Sequence, residues 1–217
     1  MDSSSALERP RGKASKPVSK AEQTLRTRAL IVETGIRCLA QYGYANTSMH
    51  LIAQEAGLSR GPLHYHFSDK NDLMGAIAEA LPQQAPEATR RRLAEAKTIE
   101  DRMKALVDIS LEQHLGDHHF VAIELLIAAR RDPDLAASVL PHLSTGEAAI
   151  DQWWVAYAEG LGWSSERLVT FRALFVAALR GLAVDYVQRP GNGVHAEATA
   201  MLKDMLLHYL LTSVAKR

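Results

Sequence analysis

The chain has 217 residues, of which 47% are hydrophobic, enough to bury a sizeable core in one or two structural units. Its formal net charge is zero, so the charge of the whole chain gives no sign of a nucleic-acid partner. Cys38 is the only cysteine, which excludes an internal disulfide, and the chain has neither an apolar signal core nor an apolar run of the ~18 residues that a membrane span needs. We therefore expect a soluble, cytoplasmic protein with no membrane partner.

The charge is unevenly distributed along the chain. Residues 9–70 contain ten Lys or Arg against four Asp or Glu, a net charge of +6, and the rest of the chain carries the balancing −6. A basic N-terminal module on an acidic body is typical of a protein that binds DNA through one end.

Helix-forming residues dominate the sequence, and no alternating apolar and polar run of strand length stands out, so the predicted fold class is all-α. Residues 1–20 are rich in Ser, Pro, Lys and Arg and are predicted to form a disordered basic arm, either touching DNA or simply solvated. An amphipathic helix follows, ending at Gly43. Its apolar stripe consists of Leu25, Ala29, Val32, Ile36 and Leu39.

Two short helices joined by a glycine turn come next. Ser48 is placed to cap the first, and Gly57 to end it with a positive φ. Ser59 is placed to cap the second, whose Leu63 and Phe67 are predicted to face the core. A third helix, capped by Asp69, is expected to run to about residue 81.

Such a pair of helices is either an ordinary helical hairpin or a helix-turn-helix that presents its second helix to the DNA major groove. Residues 52–58 (IAQEAGL) and 59–70 (SRGPLHYHFSDK) resemble the N-terminal signature of the tetracycline-repressor (TetR) family of transcriptional regulators. The resemblance covers about residues 24–81. The family usually has Tyr directly after the Leu, where this chain has His64.

The resemblance implies a three-helix helix-turn-helix DNA-binding domain at residues 21–81 and a larger ligand-binding and dimerisation domain at residues 82–217. The second short helix would then read DNA, with Arg60 suited to guanine in the major groove and Lys70 to a phosphate. The residues predicted to contact DNA are Ser48, His50, Ser59, Arg60, Gly61, Pro62, His64, Tyr65 and Lys70.

Seven further helices are predicted beyond residue 82. A break is expected at Pro141, followed by a capping box formed by Ser144 and Glu147. The predicted segments are residues 84–96, 99–115, 117–131, 134–141, 145–161, 165–188 and 195–215.

The last two helices are apolar on more than one face, which indicates either a fully buried central hairpin or a contact with a second subunit. The family resemblance favours a homodimer formed through these two helices. Leu206 and Leu210 are predicted to lie in that interface.

Several aromatic residues could line a cavity for a small-molecule effector or could simply pack the core. The residues proposed for this site are Phe120, Glu124, Trp153, Trp154, Tyr157, Phe171 and Phe175. No cofactor is predicted, and the chemistry of the effector is not specified by the sequence.

A cluster of histidines, His114, His118 and His119, lies near a helix break at Gly116. His114 and His118 have the i, i+4 spacing of a zinc-binding pair, but polar residues at a helix junction give the same pattern. The sequence contains no nucleophile elbow and no phosphate-binding glycine loop, and we predict no catalytic residue.

The sequence thus predicts a DNA-binding regulator, a repressor released from a palindromic double-stranded DNA operator by a small-molecule effector. The alternative is a metal- or ligand-binding helical enzyme in which the helix-turn-helix is incidental. Metal content and a DNA shift assay separate the two.

Overall fold

The computed structural model of the chain describes residues 19–81, 87–114, 116–188 and 193–212, so the predicted basic arm lies almost wholly outside the described residues. Within these ranges the chain forms ten helices and no strand, which confirms the all-α fold. The helices are α1 Lys20–Asn46, α2 Met49–Glu55, α3 Arg60–His66, α4 Lys70–Ala80, α5 Glu87–Glu95, α6 Ile99–His114, α7 Asp117–Ala129, α8 Pro133–Tyr157, α9 Ser165–Gln188 and α10 Gly193–Thr212.

Helix α1 begins with a capping box that the sequence analysis did not identify. The Ser19 hydroxyl accepts a hydrogen bond from the Glu22 N–H, and the Glu22 carboxylate accepts one from the Ser19 N–H. Regular helix is interrupted at Gly43, whose φ of 74° and ψ of 169° lie outside the helical region. One more short turn then continues α1 to Asn46.

The turn between α2 and α3 forms as the sequence predicts. The Ser48 hydroxyl caps α2 by accepting from the Leu51 N–H, and Gly57 has a φ of 66°. The Leu58 N–H donates to the Ala53 carbonyl at 2.9 Å, the bond that defines a Schellman C-cap. Ser59 occupies the N-cap position of α3, but its side chain makes no capping hydrogen bond.

The predicted break at Pro141 is wrong, because α8 runs through it as one helix. Pro141 is exposed and lacks only its own N–H bond, and the Thr145 hydroxyl donates to the Pro141 carbonyl at 2.8 Å. Ser144 and Glu147 therefore form no capping box, since neither lies at a helix start. In the described ranges, the other predicted C-terminal helices agree with α5, α6, α7, α9 and α10 within two or three residues.

Two hydrophobic cores organise these helices. The first joins α1 to α4 with α7 and the beginning of α8, which contributes Leu135 and Val139. The second joins α5, α6, α9 and α10 with the end of α8, which contributes Trp154. The first core therefore extends beyond residue 81, where the sequence signature ends.

Leu206 and Leu210 belong to the second core of their own subunit, so their predicted place in a dimer interface is wrong. Their side chains are only 8% and 0% exposed, because α10 turns this edge toward α6 and α9. The sequence could not distinguish this edge from the opposite one, since α10 is apolar nearly all round. No helix in the described part of the chain is long and apolar enough to cross a membrane.

Candidate nucleic-acid interface

Helix α3 is anchored by two side chains and presents the rest of its surface to solvent. Leu63 and Phe67 are each only 1% exposed, and they hold the helix against the first core. The Arg28 guanidinium of α1 lies over the Phe67 ring, 5.3 Å from its centre, and covers the first core at this point. The side of α3 opposite Leu63 and Phe67 therefore faces solvent.

The outward side of α3 carries the residues that the sequence predicts for DNA recognition. Arg60, Gly61, His64 and Tyr65 are exposed, with Tyr65 at 77%, and Pro62 is half-buried in the first turn. A Cβ added at Gly61 would meet no atom within 4 Å, so the backbone at this point is open to an approaching surface. This arrangement gives an incoming base edge access to the start of α3.

The remaining predicted positions flank α3. Ser48 and His50 are exposed at the start of α2, and Ser59 is exposed just before α3. The Ser48 hydroxyl accepts from the backbone and can still donate its proton to a phosphate.

An open groove of about 590 Å³ separates the beginning of α1 from α3. The sequence analysis missed its α1 side, although polar residues at positions 20, 23, 24 and 27 form one face of a helix. Lys20, Gln23 and Tyr65 supply donors on its walls that suit a phosphate backbone, whereas the Thr24 and Thr27 hydroxyls donate to carbonyls of α1. It is lined by Lys20, Gln23, Thr24, Thr27, Gly61, Pro62, Tyr65 and His66.

Lys70 is half-buried and folds back against Tyr44 instead of extending into solvent. Its Nζ donates to the Tyr44 carbonyl at 3.0 Å and lies 3.9 Å from the centre of the Tyr44 ring. Burial lowers the pKa of Lys70, and the carboxylate of Asp132 opposes this shift. Since an ammonium has three donors, the contact with Tyr44 leaves some for a phosphate, and the predicted phosphate contact stays a prediction.

The residues proposed for an effector site do not all come together. Trp154 lies 6.4 Å from Phe171 and 6.0 Å from Phe175 between ring centres, so these three rings share the second core. Trp153 and Tyr157 instead form a separate edge-to-face pair at 4.8 Å.

Phe120 and Glu124 lie on α7, apart from these rings. Phe120 packs beside His119. The Glu124 carboxylate accepts a hydrogen bond from the Tyr44 N–H at 3.1 Å, which places it at the last turn of α1, just after Gly43.

A charged cluster that the sequence analysis did not identify joins α8 to α9. Arg172, only 6% exposed, donates to Asp151 and donates to Glu147 at 2.6 Å, and Arg180 donates to the other Glu147 oxygen at 2.8 Å. Burial pushes the pKa of Glu147 upward, but its bonds and charges from the two arginines outweigh this and hold the pKa below its usual value. In the sequence, nothing distinguishes Arg172 from a surface arginine of an ordinary amphipathic helix. Only the structure identifies it as buried.

The histidine cluster pairs differently from the sequence expectation. The His114 and His119 rings lie 4.4 Å apart between ring centres and are tilted by 55°, and His118 is exposed. Burial, together with the neighbouring His114 and Arg180, lowers the pKa of His119 to about 4. Among the described residues no three His, Cys, Asp or Glu side chains converge on a metal position.

The family model for bacterial regulatory proteins of the tetR family matches residues 31–77, which span most of α1 to α4. The HTH-type transcriptional regulator CymR of Pseudomonas putida is 28% identical over 166 residues, covering 76% of this chain and 82% of the relative. The HTH-type transcriptional repressor AcnR of Corynebacterium glutamicum is 25% identical over 133 residues, covering 61% of this chain and 66% of the relative.

Solved structures share the fold over nearly the whole described chain. A putative transcriptional regulator from Saccharomonospora viridis, solved in complex with choline, superposes with a TM-score of 0.65 at 21% identity. The superposition covers 85% of this chain and 97% of that structure. At this level of identity the similarity establishes the fold.

Proposed function

Because the chain belongs to the TetR family of DNA-binding transcriptional regulators, we propose that it is a repressor that leaves a palindromic operator when a small molecule binds. The observation that carries the proposal is the exposed start of α3, anchored from behind by Leu63 and Phe67. The family is not enzymatic, so the alternative of a helical enzyme is not supported. We propose that the protein acts in the cytoplasm, where regulators of this bacterial family meet their DNA.

Arg60 is the residue we assign to base recognition. It lies in the first turn of α3, and its planar fork of donors matches the O6 and N7 acceptors of guanine. His64 and Tyr65 lie further along the exposed side, where phosphate contacts are expected. Gly61 and Pro62 carry little side chain, which leaves room for the DNA surface between Arg60 and His64.

A randomised-operator selection on purified protein tests this assignment, with His64→Ala as the matched control on the same helix. We expect Arg60→Ala to lose preference at one base pair of each half-site, a discrimination worth ~1–3 kcal/mol. His64→Ala should lower affinity for all sequences alike. The assignment fails if Arg60→Ala keeps the wild-type preference at every position.

We propose that the operator is bound by a homodimer formed through α9 and α10. Support comes from apolar side chains that these helices leave exposed, including Leu174 at 70% and Met205 at 63%. On α9, Ala173, Ala177 and Gly181 add an exposed edge of small residues that allows a second helix to approach closely. Two helices from each subunit would then close a four-helix bundle.

We place the effector in the second core, beside the rings of Trp154, Phe171 and Phe175. Among the buried nitrogen atoms with no hydrogen-bond partner among the described atoms is Trp163 Nε1, whose ring lies 5.6 Å from Phe171 between ring centres. Such groups favour a polar ligand atom or water, because an unpaired buried polar group is costly. Binding of choline by a regulator of the same fold supports a small-molecule effector as such.

A further inference from the structure

The last turn of α1, which follows Gly43, is held at both polar backbone atoms of Tyr44. The Tyr44 N–H donates to the Glu124 carboxylate at 3.1 Å, and the Tyr44 carbonyl accepts from Lys70 Nζ at 3.0 Å. Glu124 lies in the middle of α7, and Lys70 begins α4. Tyr44 is therefore tied at the same time to the helix that follows the DNA-reading unit and to a helix 80 residues further along the chain.

Gly43 makes this arrangement possible. Its φ of 74° turns the Tyr44 N–H out of the α1 hydrogen-bonding pattern and toward α7. A Cβ at this position would lie 3.6 Å from the Glu124 oxygen in a backbone conformation that other residues rarely adopt. The approach of Glu124 to the turn thus depends on glycine.

Motion of the turn is passed directly to the recognition helix. Only three residues separate Tyr44 from Ser48, the N-cap of α2. Helices α2 and α3 are then joined by the closed Schellman turn and by a shared core that includes Ile52 and Leu63, so they move as one unit. A displacement of α7 relative to α1 therefore shifts α3.

We propose that Glu124 is a positioning residue for DNA recognition, whose hydrogen bond to the Tyr44 N–H ties the orientation of α2 and α3 to α7. This inference rests on the proposed function, because it concerns the distance between the two α3 helices of a dimer. Recognition helices that enter successive major grooves lie about 34 Å apart, and a change in their separation is read as a change in preferred half-site spacing. Glu124 acts on that spacing without touching DNA.

The test uses the full chain and a set of operators whose half-sites are separated by the natural distance, one base pair more and one base pair less. Glu124→Ala removes the acceptor, Glu124→Gln removes the charge but keeps an acceptor oxygen, and Glu159→Ala removes the same charge from an exposed position just beyond the end of α8. We expect Glu124→Ala to bind a single half-site as the wild type does. Its preference for the natural spacing over the two altered spacings should fall by about 3- to 10-fold, the weight of one hydrogen bond.

Glu124→Gln and Glu159→Ala should keep the wild-type preference. A role for Glu124 in stability alone would weaken binding at all three spacings equally and leave their ratio unchanged, and that result would overturn the proposal.

Hydrogen exchange of the Tyr44 amide gives a second readout that needs no DNA. It should be faster in Glu124→Ala than in Glu124→Gln, and equal rates would also overturn the proposal. Failure of the wild type to select any DNA would instead refute the proposed function.

Discussion

A glycine in α4 sets how closely that helix approaches α8. A Cβ added at Gly75 would lie 3.0 Å from the carbonyl oxygen of Ser138, closer than such contacts normally come. A backbone carbonyl cannot rotate away as a side chain can. We therefore expect Gly75→Ala to push α4 and α8 apart by a few tenths of an ångström.

Two opposing effects determine the stability of this variant. Alanine in a helix interior is favoured over glycine by about 1 kcal/mol, whereas overpacking a filled core costs ~1–3 kcal/mol. The neighbouring Leu73, Met74 and Ile77 are 0% exposed, so the site has little room to relax. The balance predicts that Gly75→Ala lowers the free energy of unfolding by up to about 2 kcal/mol.

Urea unfolding followed by circular dichroism measures this change, with Gly35→Ala as a comparison. At Gly35 the added Cβ would lie 2.6 Å from Ile77 Cδ1, the end of a side chain between α1 and α4. Both variants should lose stability, but only Gly75→Ala should also alter the preferred operator spacing, since only it separates α4 from α8. A Gly75→Ala protein more stable than the wild type by the full propensity gain would refute the reasoning.

Three further predictions concern pH, assembly and salt. Because burial lowers the pKa of His119 to about 4, the unfolded chain takes up a proton between pH 6.5 and 4 that the folded chain does not, and stability falls as pH drops through that window. Urea unfolding at pH 7 and at pH 5 measures how much free energy of unfolding is lost between the two pH values. This loss should be smaller in His119→Asn than in the wild type, by ~1–2 kcal/mol after allowance for partial exposure. Replacing Leu174 and Met205 by Asp should leave helical content unchanged and give monomers in sedimentation, and persistent dimers would place the interface elsewhere. Lys70→Ala should bind DNA with a salt dependence shallower by about one ion per subunit, and an unchanged slope would limit Lys70 to its contact with Tyr44.

The helix-turn-helix could be predicted from the sequence because its determinants are local. Ser48, Gly57 and Asp69 act within three or four residues of their own positions, and each makes the cap that its chemistry predicts. The exposed and buried sides of α3 follow from the spacing of Leu63 and Phe67 in the same way.

The interactions between distant segments could not be predicted in this way. The Glu124 contact with Tyr44 joins residues 80 positions apart, and no periodicity in either helix specifies it. Arg172 looks like a surface arginine in the sequence, and its burial depends on Asp151 and Glu147 from another helix. The continuity of α8 was missed for a different reason, because an exposed Pro141 costs one hydrogen bond that the surrounding packing can offset.

Helix α8 belongs to both cores, and this sharing determines how the chain comes apart. A fragment ending at residue 81 would uncover the side of α4 that packs on α8, so we expect the recognition unit not to fold independently. Melting of the first core frays α8 from Leu135, and melting of the second frays it from Trp154. The two fraying ends meet near Pro141, where one backbone bond is already missing. We therefore expect the cooperative units of unfolding to divide at the middle of α8.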